Sequence, residues 1–234
     1  MRHPVTALVL CLTAWPMCAR ATETLEGPSD PISDTMAASR SDFIQTSLDQ
    51  GSASAQWWWY GWLGGYSAAT VAQGGIGIVT HDKALRATML VGAAGSGLGA
   101  LGVIAFPFPP AYAASELRAS EGVTVQQRNA LALRSLEACA DAEHMGRSWL
   151  PHVLGVAVAA AQGLVLWIGF GQKVDGAESA ALSLVVSEAQ IFTQPMRAVD
   201  DLANYKRQVS RSHQTEVQWH IASSPRGLAV LLQW

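Results

Sequence analysis

The stretch formed by residues 146–195 decides the fold. It reads GRSWLPHVLGVAVAAAQGLVLWIGFGQ from residue 146, KVDGAES from residue 173 and AALSLVVSEAQIFTQP from residue 180. The outer two strings are almost continuously apolar, and a helix needs about 20 such residues to cross a bilayer. The middle string is short and polar, with an Asp175-Gly176 turn signal. We therefore predict two membrane-crossing helices joined by a tight turn, with Glu188 as an acid within the second helix.

The composition favours lipid as the solvent. Half of the residues are hydrophobic and only 14% are charged, whereas about 25% are charged in a typical soluble domain. The apolar residues also form long blocks instead of short periodic segments. The net charge is only -3 and no Lys/Arg-rich run occurs, which argues against a nucleic-acid partner. The lipid bilayer is the partner that this composition predicts.

The N-terminus has the pattern of an export signal. A basic residue at position 2 precedes a short apolar core at 5–15, and a small-x-small cleavage site ends at Ala21. We predict a signal peptide over residues 1–21, with an uncleaved anchor as the alternative. Cleavage removes Cys11 and Cys18, so Cys139 would remain alone, and a lone cysteine is usually a small buried side chain.

Composition shifts divide the mature chain into five segments. We predict a flexible acidic leader at 22–55, transmembrane helices 1 and 2 at 56–106, a soluble insert with an amphipathic helix at 107–149, transmembrane helices 3 and 4 at 150–195, and a charged helix with a short β-hairpin at 196–234. The predicted fold class is therefore all-α, a polytopic bundle of four transmembrane helices.

Aromatic residues mark the membrane boundary in this interpretation, because indole and phenol rings combine an apolar body with a polar tip. The cluster lies at the start of the first span, with one further tryptophan before the third: Trp57, Trp58, Trp59, Tyr60, Trp62 and Trp149.

Small residues recur four apart in the second and third spans, where they allow close approach of helix backbones. The candidate packing positions are Gly92, Gly95, Ser96, Gly99, Gly155, Ala159 and Gly163. The Gly97-x-Gly99-x-x-Gly102 string resembles a dinucleotide fingerprint only in its letters, because no strand precedes it.

Glu188 is the strongest candidate for a functional polar group. An acid at depth in a bilayer costs about 2.5–3.5 kcal/mol on insertion scales, so such groups usually face protein or water. Its own helical neighbours are apolar, and the plausible partners on other spans are Gln73, Gln162 and His152, with Gln190 close by. Three interpretations remain open: a bond across helices that locks the bundle, a proton or solute pathway, and a position at the membrane interface.

No cofactor or metal site is predicted. Glu137, Asp141, Glu143 and His144 are close together in the insert, but they lack the HExxH pattern, and we interpret them as the solvated face of an amphipathic helix. No nucleophile elbow or phosphate loop occurs either.

The export signal predicts that both termini are periplasmic. The Lys/Arg distribution disagrees, because more basic residues lie in the segments placed outside than in the two turns placed in the cytoplasm. We retain the orientation given by the signal, since the first segment usually dominates.

The strings GRSWLPH, GLVLWIGFGQ and SEAQIFTQP, with SPRGLAV near the C-terminus, resemble a family of uncharacterised small proteobacterial membrane proteins. Those proteins have a signal peptide, four hydrophobic segments and a C-terminal hairpin. The resemblance runs from about residue 57 to the end, although LLQW replaces the commoner basic-aromatic ending. It implies the inner membrane of a Gram-negative bacterium, and it implies no activity.

Three functional hypotheses follow. The first is a non-enzymatic inner-membrane protein that serves as a structural, assembly or accessory component of the envelope, alone, as a homo-oligomer or with another membrane protein. The second is a small transporter or channel subunit that uses Glu188 with Gln73 and Gln162. The third, a membrane enzyme acting on lipid or envelope precursors, is the least favoured because no catalytic constellation occurs.

Overall fold

A computed structural model describes residues 33–120, 122–215, 218–224 and 227–233. The predicted signal peptide at 1–21 and the first part of the predicted leader lie outside these ranges. The helices are α1 (Asp34–Val79), α2 (Lys83–Ala105), α3 (Ala113–Ala119), α4 (Val125–Gly146), α5 (Trp149–Leu164), α6 (Lys173–Phe192) and α7 (Arg197–Thr215). A 3-10 turn, Pro109–Ala111, precedes α3, and a π-helical turn, Val165–Gly169, extends α5.

The all-α class is confirmed, whereas the predicted bundle of four membrane-spanning helices is not supported. In the described part of the chain, two helices are long and apolar enough to cross a membrane: α2, and α5 with its π-helical extension. The segment predicted as the fourth span is α6, which carries Lys173, Asp175, Glu178 and Glu188 within 20 residues. The segment predicted as the first span is diluted by glycine, serine and aromatic residues, and it belongs to a much longer helix.

That longer helix is α1, whose 46 residues begin at Asp34. The Ser33 hydroxyl caps it by accepting a hydrogen bond from the Met36 amide at 3.4 Å. Residues 34–55, predicted as part of a flexible leader, are its first half. They are ordered because one face of the helix is apolar: Ile44 and Leu48 are buried in a core, and burial of such side chains stabilises a helix that propensity alone would not.

This core joins the first half of α1 to α3, α4 and α7, and we call these helices the polar cluster. Leu136 and Cys139 of α4, Leu117 of α3 and Tyr205 of α7 contribute to the same core. Helix α4 begins with a capping box, in which Thr124 and Gln127 each accept from the other's backbone amide. It occupies the segment for which an amphipathic helix was predicted.

The second half of α1 packs along α2, and α5 packs along α6. We call these four segments the apolar helices. Asp82 begins α2 by accepting from the amides of Ala84 and Leu85 at 2.7 and 3.1 Å. At the same end of the helices, Gln172 donates to the Ala84 carbonyl at 3.1 Å and accepts from the Thr88 hydroxyl at 3.1 Å. The end of α5 is thereby fixed to the start of α2.

Large apolar side chains of these helices point outward. Leu101 and Ile104 of α2, Ile168 beyond α5, and Leu182 and Val185 of α6 are each more than half exposed. At the C-terminus, the strands β1 (Gln218–Ser224) and β2 (Gly227–Gln233) pair antiparallel, with Gln218 opposite Gln233.

Candidate functional site

His152 and Glu188 meet between α5 and α6. The His152 Nδ1 atom lies 2.8 Å from Oε2 and 3.0 Å from Oε1 of Glu188. A hydrogen bond to the ionised carboxylate requires the ring proton to be on Nδ1, because an ionised carboxylate only accepts hydrogen bonds. Phe192 packs beside the imidazole, with ring centroids 5.8 Å apart. Of the three predicted partners of Glu188, the structure selects His152.

The pair lies near one end of α5 instead of at its middle. His152 follows Trp149, the first residue of the helix, by about 4.5 Å of helical rise. The side chains remain 34% and 29% exposed, so protons and water can reach them. Chemically, the arrangement can hold a shared proton and can tie the start of α5 to the last part of α6.

The two glutamines predicted to join Glu188 lie elsewhere, against α2. Gln73 of α1 accepts from the Ser96 hydroxyl at 3.3 Å, and Gln162 of α5 donates to the Ser183 hydroxyl of α6 at 3.3 Å. Both amides pack against glycines of α2, because a Cβ at Gly92 would lie 2.7 Å from Gln73 and a Cβ at Gly95 would lie 2.1 Å from Gln162. The glutamines therefore bind helices to one another, and their described bonds do not include Glu188.

Gln190 forms a separate contact. Its Oε1 atom accepts from the Tyr66 hydroxyl at 2.8 Å, which links α6 to α1. The predicted polar residues therefore make four distinct interhelical contacts, and each connects a different set of side chains.

Most of the predicted packing positions lie at contacts between helices of this same chain. A Cβ at Gly99 would lie 2.7 Å from the Tyr66 ring, and one at Gly155 would lie 2.1 Å from the Ser187 hydroxyl. At Gly163 the added atom would lie 2.9 Å from the backbone oxygen of Gly176, so the backbones of α5 and α6 themselves touch there. Ala159, one turn earlier on α5, is 4% exposed.

Three of the boundary tryptophans hydrogen-bond to the ends of other helices. The indole N–H of Trp58 donates to the Gln190 carbonyl at 3.2 Å, and that of Trp59 donates to the Val103 carbonyl at 3.2 Å. Trp62 donates to the Thr193 hydroxyl at 3.3 Å. The last four carbonyls of a helix have no partner within it, so the indoles of Trp58 and Trp59 supply partners to carbonyls at the ends of α6 and α2.

The other predicted boundary aromatics are more exposed, as expected of rings that face an interface. Trp57 and Trp149 are 81% and 72% exposed, and Tyr60 is 60% exposed. The Tyr60 ring contacts that of Trp59 edge-on, with centroids 4.8 Å apart.

Glu143 is a buried acid that the sequence interpretation assigned to a solvated face, and that interpretation is wrong. Its side chain is only 1% exposed, and Oε2 accepts from the Val199 amide in the first turn of α7 at 3.1 Å. Burial raises the pKa of Glu143 to about 7, although the amides of Val199 and Ala198 oppose that rise. The residue follows Leu136, Cys139 and Ala140 at helical spacing, so the pattern placed it on the apolar stripe.

Arg147 and Gln194 complete a junction beside Glu143. Arg147 follows α4 and donates to the carbonyls of Phe192 and Gln194, both at 3.0 Å, at the end of α6. Gln194 follows α6 and donates back to the carbonyls of Ala142 and Glu143 at 3.4 and 3.3 Å, near the end of α4. These reciprocal contacts attach the apolar helices to the polar cluster, and we call Glu143, Arg147 and Gln194 the junction.

Cys139 is buried in the core of the polar cluster, as predicted. Burial raises the pKa of its thiol to about 12, and the nearby carboxylates of Glu143 and Glu116 act in the same direction. A thiol that stays protonated is a poor nucleophile and a poor metal ligand.

Comparison with known proteins assigns no family. No family model, curated protein or solved structure matches this chain. The resemblance to uncharacterised proteobacterial membrane proteins therefore stays a prediction, and the function has to be argued from the chain itself.

Proposed function

We propose that this chain is an integral protein of the inner membrane of a Gram-negative bacterium, and that it serves as a structural, assembly or accessory component of the cell envelope. One observation carries the proposal: two helices that are apolar enough to cross a membrane turn their side chains outward. In the most apolar part of α2 only 11% of the window is buried, and in the most apolar part of α5 with its π-helical extension only 17% is buried. The core helix of a water-soluble protein would be mostly buried, and neither helix lies near the N-terminus, where an export signal would lie.

The polar residues of the apolar helices support a structural role. Glu188, Gln73, Gln162 and Gln190 each bond to a side chain of another helix. Interhelical hydrogen bonds in membrane proteins contribute about 0.6 kcal/mol on average and fix which faces meet. Such contacts would hold the helices in one arrangement on which a partner membrane protein, or a second copy, can assemble.

We infer a periplasmic location for the polar cluster. The contacts of the first half of α1 and of helix α7 with α4 support a position for both ends of the described helical chain on the same side of the membrane. The export-signal pattern of the sequence favours the periplasm as that side. Alkaline phosphatase fused to the C-terminus should therefore be active. Fluorescence from a reporter that folds only in the cytoplasm, fused to the C-terminus, would overturn this orientation.

A small transporter or channel subunit is the second candidate, because the His152–Glu188 pair is partly exposed and can exchange a proton. Glu188→Gln tests it, with Glu178→Gln on the same helix as the control of equal charge change. If the pair is structural, Glu188→Gln lowers the thermal stability in detergent, and proton flux into proteoliposomes is the same for all three proteins. Flux that Glu188→Gln abolishes without loss of stability or abundance would favour the transporter.

A further inference from the structure

Glu143 is a buried acid that has a hydrogen-bond donor but no cation beside it. Its side chain is 1% exposed, and its carboxylate accepts from the Val199 amide of α7 at 3.1 Å. In the described part of the chain, no cation forms an ion pair with this carboxylate. A buried carboxyl group in such a place favours its protonated form, because the ionised form loses its hydration on burial.

The charges that face Glu143 from α7 strengthen this preference. Burial raises the pKa of Glu143, and the carboxylates of Asp201 and Asp200 raise it further, although amides of α7 oppose the rise. Arg197, the cation in the first turn of α7, is directed to other groups. It lies 3.3 Å from Asp201 and donates to Gln50 of α1. The negative charge of an ionised Glu143 would therefore stay uncompensated while α7 is in place.

A cavity of about 20 Å³ lies beside the carboxyl group, between α1, α4 and the first turn of α7. Its lining includes Cys139 and Glu143 of α4 and Ala198 and Asp201 of α7, and the α1 residues that line it carry no titratable group. The cavity has room for about one water molecule. One water cannot restore the hydration of a carboxylate, so ionisation favours a state in which α7 has moved away and uncovered Cys139.

The connection between α6 and α7 allows that movement. Gln194 is held by the junction, and Arg197 is the first residue of α7, so Pro195 and Met196 alone lie between them. Proline has no amide hydrogen to donate, so its backbone nitrogen makes no bond that movement would break. The first turn of α7 can therefore swing about these two residues while Arg147 and Gln194 still attach α4 to α6.

We propose that ionisation of Glu143 releases the first turn of α7 from α4, so that this part of the polar cluster opens and closes with pH. The closed state holds the protonated acid, and the open state exposes the carboxylate to water, where its pKa returns to the ordinary value of 4.5. The pKa is raised to about 7 in the closed state, so the ratio of open to closed molecules should rise about tenfold per pH unit between about pH 5 and 7 and level off above that range. Access to the apolar stripe of α4 around Leu136 and Cys139 then depends on pH.

The labelling rate of Cys139 in the full chain, in detergent, tests the proposal. Cys11 and Cys18 are replaced by serine, so that Cys139 is the only thiol. The rate with dithiodipyridine is measured between pH 5 and 8 and divided at each pH by the rate for the same chain unfolded in guanidinium chloride. This division removes the pH dependence of the thiol itself, and the quotient reports the open fraction when closing is faster than labelling.

We expect the quotient to rise about tenfold per pH unit between about pH 5 and 7. Glu143→Gln should make the profile flat, whereas Glu137→Gln, which removes a carboxylate from the same helix, should retain the rise. The quotient should also depend only weakly on low concentrations of urea, because a local opening exposes little surface and global unfolding exposes far more.

Three results would overturn the proposal. The first is a flat profile in the chain that retains Glu143, and the second is a urea dependence equal to that of global unfolding. Both are measured without Glu143→Gln, so the test holds even if that variant does not fold. The third is an equal rise in Glu143→Gln and Glu137→Gln, which would assign the opening to another group.

Discussion

The carboxylate of Glu143 on α4 accepts a hydrogen bond from the backbone amide of Val199 on α7, with Oε2 and N 3.1 Å apart. The first amides of a helix lack partners within the helix, so an acid from α4 performs the task that an N-cap residue would otherwise perform. The contact is buried, and it fixes the first turn of α7, the helix by which the chain returns to the polar cluster after α6. Helix α7 is therefore attached through a group whose ionisation depends on pH.

Glu143 makes the stability of the protein depend on pH. Its pKa is raised from 4.5 to about 7 in the folded protein, so the folded state binds the proton more tightly than the unfolded state does. The contribution of Glu143 to the free energy of unfolding is fully present below about pH 4.5. It is lost as the pH rises to about 7, and the loss for a fully buried site is on the order of 3 kcal/mol. Thermal unfolding in detergent between pH 5 and 8 measures this decline.

The matched variants for that experiment are Glu143→Gln and Glu137→Gln, both on α4. Glu143→Gln removes the titrating group, so the decline between pH 5 and 8 should flatten. Glu137→Gln leaves Glu143 intact and should keep the decline. Equal slopes in the two variants would show that Glu143 is not the group responsible.

The contact between the backbones of α5 and α6 makes Gly163 intolerant of a side chain. A methyl group there would lie 2.9 Å from the Gly176 oxygen and 3.0 Å from the Ala180 Cβ, so Gly163→Ala should destabilise the protein by about 1–3 kcal/mol, as overpacking does. Gly102→Ala on α2 is the control, because nothing lies within 4 Å of that position. Melting temperatures in the same detergent compare the two, and an equal effect would contradict the contact.

The indole of Trp58 should contribute through its N–H group as well as through its ring, which packs on Phe108 at 4.9 Å. Trp58→Phe keeps an aromatic ring and removes the donor to the Gln190 carbonyl, so we expect a loss of about 1 kcal/mol. Trp57→Phe is the neighbouring control, because the Trp57 side chain is 81% exposed. Loss of thermal stability confined to Trp57→Phe would refute the capping role.

The sequence predicted the helices around residues 83–105, 125–146 and 149–164 because long apolar blocks and the helical spacing of apolar residues are local patterns. It failed where the outcome depends on how helices are packed. The Trp57 cluster was taken as the start of a helix, yet α1 begins at Asp34, because the apolar face around Ile44 gains its stability from α4 and α7, which are distant in sequence.

The candidate site shows the same division. The apolar neighbours of Glu188 identified it as a candidate, and three side chains on other helices were its predicted partners. The rotation of α5 relative to α6 selects His152 among them, and the sequence of neither helix alone determines that rotation. Glu143 could have been found, since it follows Leu136 and Cys139 on the apolar stripe. Local charge density suggested solvent instead, and the structure shows that the helical phase was the better guide.

The central claim is that lipid surrounds the outward faces of α2 and α5, and membrane fractionation of the full chain tests it most directly. Expressed in a Gram-negative host, the protein should stay in the membrane pellet after alkaline carbonate extraction and should dissolve only when detergent is added. Recovery of the full chain as a monodisperse species in buffer without detergent would contradict the claim.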